Sequence, residues 1–139
     1  MDPIGDTLDR TAIYLVARGD AGASGILAAC NDSLVPVQVI VPQGQTPFFA
    51  AINTLVTTTT RTYGQSGLYN ALWQSALVVD DAAIVDGEAV IQLSGDVLVS
   101  GVCDDARLVQ QLAQTALQFE GVNNVLIFIN GIPYEPAAS

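Results

Sequence analysis

Five carboxylates, Asp80, Asp81, Asp86, Glu88 and Asp96, crowd one short stretch of the chain. Two such groups a few ångströms apart can cleave a glycosidic bond, one as acid and the other as base or nucleophile. A cluster of them can also attract Ca²⁺, yet "DGEAVIQL" lacks the alternating oxygen ligands of a calcium loop. Asp86-Gly87 is instead a dipeptide that closes a two-residue hairpin, because both positions tolerate positive φ. The acids therefore read as solvated side chains of a hairpin, and no catalytic residue, metal site or cofactor is assigned to the chain.

Elimination removes most other chemistry. The sequence has no histidine, so it can form no Ser-His-Asp or Cys-His arrangement and no zinc-protease site. It has no lysine, which excludes a Ser-Lys dyad, a Schiff base and a P-loop. "GDAGASG" at residues 19–25 looks superficially like a dinucleotide-binding turn, but its glycines are wrongly spaced. The chain is expected not to be an enzyme.

Two groups of residues remain. Cys30 and Cys103 are the only cysteines, each in an expected loop; in an oxidising compartment they could form a disulfide, and otherwise they are two free thiols. Tyr63, Tyr69 and Trp73 lie close together and are the candidate surface for gripping a partner or stacking on a glycan, since aromatic rings join apolar area to a polar handle. The competing reading is that Leu68, Leu72 and Trp73 form a short turn capping the core.

Charge narrows the partners. Fourteen acidic residues against four arginines, Arg10, Arg18, Arg61 and Arg107, give a net charge of −10. Four scattered arginines make no basic patch, so nucleic acid is excluded, and anionic membranes would repel the surface. No apolar run reaches the roughly 18 to 20 residues that cross a bilayer. "MDPIGDTLDR" has neither a basic start nor an apolar stretch, so no export signal is expected within this chain.

The elements that position these residues follow from periodicity. At 139 residues, half of them hydrophobic, the chain suits one domain at 11–134, with a flexible N-terminal segment at 1–10 and a tail at 135–139. "TAIYLVAR" (11–18) and "SLVPVQVIVP" (33–42) read as strands, with Pro36 marking an edge or bulge, and the segment between them as a loop. Thr46-Pro47 starts a helix whose apolar face is Phe48, Ile52 and Leu55, before Thr57 to Thr60 end it. The hairpin around Asp86-Gly87 buries Ala89, Ile91 and Leu93 on one face. Asp104 or Asp105 should cap a second helix, carrying Leu108, Leu112, Ala116 and Phe119 and stopping at Gly121, and "VLIFI" should be a central strand. The expected fold is α+β, order β-β-α-β-β-α-β: a single-layer mixed sheet with two helices packed on one face.

"TPFFAAINTLV", "GLYNAL", "DGEAVIQLSGDVL" and above all "LVQQLAQTALQFEGVNNVLIFINGIP", in this order and spacing, resemble the GerMN domain of bacterial sporulation and spore germination proteins, also found in envelope lipoproteins. The likeness covers residues 11 to 134. It implies an extracytoplasmic, non-enzymatic module, secreted or held by a lipoprotein anchor, that mediates protein–protein association in the cell envelope. A cell-wall module binding peptidoglycan glycan is the alternative, resting on the aromatic cluster and the implied location.

Overall fold

The computed structural model describes residues 9–134. The expected tail at 135–139 lies outside the described residues, as does all of the 1–10 segment except Asp9 and Arg10. Strand β1 (Arg10–Ala17) pairs antiparallel with β3 (Asp32–Ile40), from Arg10 opposite Ile40 to Ala17 opposite Ser33. A three-residue strand, β2 (Ile26–Ala28), flanks the other side of β3 only at Asp32–Leu34, giving the order β1-β3-β2. A 3-10 turn at Ala29–Asn31 joins β2 to β3, with Cys30 and Asn31 at φ 60° and 61°.

Helix α1 (Pro47–Thr57) begins as its sequence dictates: the Thr46 hydroxyl accepts from Phe49 N–H at 3.1 Å, and Pro47 occupies a position that needs no amide. Phe48, Ile52 and Leu55 are buried. After an irregular segment, β4 (Ala76–Val85) and β5 (Glu88–Asp96) form a hairpin whose turn residues Asp86 and Gly87 have φ 50° and 83°. The register slips between Val79 and Asp81, so Asp80 is a bulge. Helix α2 (Val102–Leu117) then crosses over to β6 (Asn124–Ile129), which runs parallel to β5. Asn130-Gly131, at φ 56° and 80°, turns the chain into the two-residue β7 (Ile132–Pro133). The second sheet has the order β4-β5-β6-β7, and Ala89, Ile91 and Leu93 of β5 are all but inaccessible.

The fold is thus α+β with two helices. The expected order β-β-α-β-β-α-β is corrected to β-β-β-α-β-β-α-β-β, because the expected loop holds the short strand Ile26–Ala28 and the chain turns back at Ile132–Pro133. The single-layer sheet is corrected to two sheets, of three and four strands. The physical reason lies at the outer edge of β1. Its outward backbone groups are taken by side chains and, at Val16, by the single residue Tyr69 rather than by another strand. Gln118 accepts from Ala12 N–H at 3.2 Å and donates to its carbonyl at 2.6 Å. Thr115 Oγ1 accepts from Tyr14 N–H at 3.0 Å, and Gln111 donates to Tyr14 C=O at 3.0 Å. Val16 exchanges two 2.8 Å backbone hydrogen bonds with Tyr69. Tyr14 therefore turns its backbone away from its partner Pro36, and the missing amide of that proline faces the side of β3 beyond the end of β2, where it costs no ladder bond.

Both helices pack against β1 and against each other; α1 also covers β4, and α2 covers β6, enclosing one core. Two further corrections concern α2. Its N-cap is Gly101, with no side-chain hydrogen bond, while Asp104 and Asp105 lie inside its first turn. The helix ends at Leu117, so Gly121 (φ 87°) serves the following turn, and Phe119 meets Phe48 edge-to-face at 5.5 Å from beyond the helix.

Candidate functional site

Where β1 ends, the irregular segment passes and α2 begins, the surface opens into a cleft of about 590 Å³. Arg18, Arg61 and Arg107 line it together with Tyr69 and Trp73. Three of the four arginines thus converge, which corrects the reading of scattered cations. Positions 18, 61 and 107 are far apart in sequence and meet only because Tyr69 pairs with the end of β1 and α2 lies alongside it. The three guanidinium carbons stand 4.4, 5.9 and 5.8 Å from the centre of the Tyr69 ring, with Arg18 nearest. Tyr69 itself is only 3% exposed.

The arginines differ in what they face. Arg107 is half-buried and committed: Nε and Nη2 donate to the two carboxylate oxygens of the inaccessible Asp32 at 2.7 and 3.3 Å, and Nη1 donates to Asp104 at 2.8 Å. Asp32 also accepts from Gly19 N–H at 3.0 Å, and Asp104 accepts from the Tyr69 hydroxyl. Burial alone would push the Asp104 carboxyl up, but the hydrogen bonds from Tyr69 and Arg107 outweigh it and hold it below the ordinary carboxylate range. Burial, then the bond to Asp104, pushes the Tyr69 phenol up. The bond to Asp32, against burial, raises Arg107. Arg18 and Arg61 are exposed and, among the described residues, have no carboxylate partner.

The nominated residues fall as follows. Tyr69 and Trp73 line the cleft, with Tyr69 covered by guanidinium groups and Trp73 half-buried against the core. Tyr63 does not line it; its amide bonds to Leu68 C=O in the neighbouring turn, and its side chain packs half-buried against the core. Leu72 is buried beside them. Cys30 and Cys103 are joined by a disulfide with Cα atoms 6.1 Å apart, tying the 3-10 turn to the first turn of α2 at the cleft's edge. The five acids are dispersed along the hairpin, Asp86 at its tip and Asp96 at the far end opposite Ala76; Asp80 accepts from Ser94, and Glu88 from Asn124. Among the described residues no three His, Cys, Asp or Glu side chains are placed to hold a metal ion.

Residues 12–135 match the Germane family model, described as sporulation and spore germination. The chain belongs to the GerMN family. Its fold is similar to the tandem GerMN domains of the sporulation protein GerM from Bacillus subtilis, at a TM-score of 0.66 and 15% identity, covering 99% of this chain and 46% of that one. The chain therefore spans about half the length of that structure. The first GerMN domain of the same protein matches at 0.59 and 18% identity, covering 91% of this chain and 86% of that one. A candidate lipoprotein from Clostridium perfringens matches at 0.50 and 14% identity, covering 98% and 84%. At these identities the likeness is one of fold. Comparison with curated proteins returns no match.

Sequence reasoning on this GerMN domain missed the polar stripe of α2. Arg107, Gln111, Thr115 and Gln118 recur at helical spacing directly beside the apolar stripe Leu108, Leu112, Ala116 and Phe119. Gln111 is fully buried; besides its bond to Tyr14 it accepts from Ala71 N–H at 2.9 Å and donates to Asn70 Oδ1 at 3.2 Å. Long polar side chains adjoining an apolar stripe are the signal that was available.

Proposed function

We propose that this GerMN domain is a non-enzymatic, extracytoplasmic module of the bacterial cell envelope that works by associating with another protein. The observation that carries the reading is the cleft: two exposed guanidinium groups that, among the described residues, have no carboxylate partner and lie beside no nucleophile paired with a base, in a molecule of net charge −10. Its hydroxyls are otherwise engaged, the Tyr69 phenol with Asp104 and Ser100 with Gln74. Arginine and aromatic side chains are the residue types that anchor protein interfaces. The Cys30–Cys103 disulfide suits an oxidising compartment, and the similar structures include a sporulation protein and a candidate lipoprotein. Among the described residues no helix is long and apolar enough to cross a membrane.

A photo-cross-linker at Gln74 on the cleft, compared with one at Asp86 on the hairpin tip, tests the proposal in envelope extracts. A discrete protein adduct from Gln74 alone is the expected result. Peptidoglycan binding rests on Trp73 at the cleft wall. Co-sedimentation with insoluble peptidoglycan, with no protein adduct, would favour it.

A further inference from the structure

We infer that the cleft is a carboxylate-binding site, and that it takes an acidic side chain from a short segment of the partner protein; this rests on the association reading above. Arg18 lies over the face of Tyr69 at 4.4 Å. A guanidinium in cation–π contact still has N–H donors that match the two oxygens of a carboxylate, and none of Arg18's is taken by a carboxylate among the described residues. Arg61 supplies a second fork in the same cleft, 5.9 Å from the same ring. Arg107 cannot serve, because Asp32 and Asp104 already occupy it. Its single charge is shared between Asp32 and Asp104, so Arg18 and Arg61 are what leave the three guanidinium groups in excess over these two carboxylates.

The charge of the whole molecule selects the occupant further. A net charge of −10 repels long polyanions at a distance, including anionic lipid surfaces and polyphosphates. What fits two guanidinium groups without a carboxylate partner among the described residues, on such a body, is an isolated anionic anchor on a partner that is otherwise neutral or basic. A neutral glycan leaves both cations unused, and stacking on Tyr69 is prevented by its burial. A cleft of about 590 Å³ holds one or two side chains with their backbone.

The test titrates the full chain with an acetylated, amidated pentapeptide carrying two glutamates and with its glutamine counterpart, read by fluorescence of Trp73, the only tryptophan and part of the cleft wall. The glutamate peptide is expected to bind saturably and at least about tenfold more tightly than the glutamine peptide, one charge-assisted contact being worth roughly 1.4 kcal/mol, or tenfold. Arg61→Gln and Arg18→Gln should each weaken it about tenfold, whereas Arg10→Gln, which removes the same charge from the start of β1, should leave it unchanged. Melting temperature checks folding, and Arg61→Gln leaves the Arg18–Tyr69 contact in place. Equal binding of both peptides, equal losses in Arg10→Gln and Arg61→Gln, or a response only to soluble wall fragments would overturn the site. If the Gln74 adduct persists in the Arg18→Gln/Arg61→Gln double variant, association stands and the carboxylate site falls. If the glutamate peptide binds as stated but no adduct forms, the site stands and association falls.

Discussion

At the scale of single residues, Asp104 and Gln111 tie α2 to the segment that carries Tyr69. Asp104 is buried and accepts from Tyr69 and Arg107. Its carboxyl is held below the ordinary value, so the stability it confers is present above the usual carboxylate range and lost as pH falls through its lowered pKa. Asp104→Asn should cost about 2 kcal/mol in urea unfolding near neutral pH. The deficit should shrink towards zero in strong acid, where the wild-type carboxyl is itself protonated. Gln111→Ala strands Tyr14 C=O, Ala71 N–H and part of the Asn70 amide in a dry interior. It should cost about 3 kcal/mol, more than the loss of volume alone explains, because unsatisfied buried groups forfeit about 1 to 3 kcal/mol each. Gln111→Glu, of nearly the same shape, should cost at least as much by burying a charge.

At the scale of elements, the helices and the long hairpin were legible because their signals are local. Thr46-Pro47 and Asp86-Gly87 fix a helix start and a turn through interactions within four residues. The apolar stripe of α2 is a local signal too, and so is Asn130-Gly131, a hairpin dipeptide whose second strand is only two residues long. β2 escaped for the same reason: three residues, Ile26–Ala28, show no period. The division into two sheets was not legible, since it depends on α2 side chains meeting β1 across about a hundred positions of sequence. Nor was the cleft, whose arginines come from three separate segments. Gly95 shows a strand-level constraint of the same hidden kind. A Cβ there would lie 1.9 Å from the Ala76 carbonyl oxygen, at φ 121°. Gly95→Ala should therefore destabilise the fold by about 2 kcal/mol or more, visible as a lower urea midpoint with an unchanged m-value.

At the scale of the whole molecule, the disulfide closes a loop of sequence separation 73 that contains β3, α1, β4 and β5. Replacing both cysteines with serine should lower stability by about 2 to 4 kcal/mol. Denatured, unreduced protein should show no thiol to a maleimide; two reactive thiols would contradict the bridge. The side-chain closure of β1 has a dynamic consequence. Among the described residues the Ala12 and Tyr14 amides have no outward strand partner, only Thr115 of α2 and Gln118 at its C-cap, so their exposure to water is governed by the helix. In native-state hydrogen exchange these two β1 amides should open together with the last turns of α2, as one cooperative unit, whereas amides of the β4–β5 hairpin should exchange on their own schedule. When α2 frays, a bare strand edge is released at the same moment, and self-association of this domain should begin with the loosening of a helix rather than of a sheet.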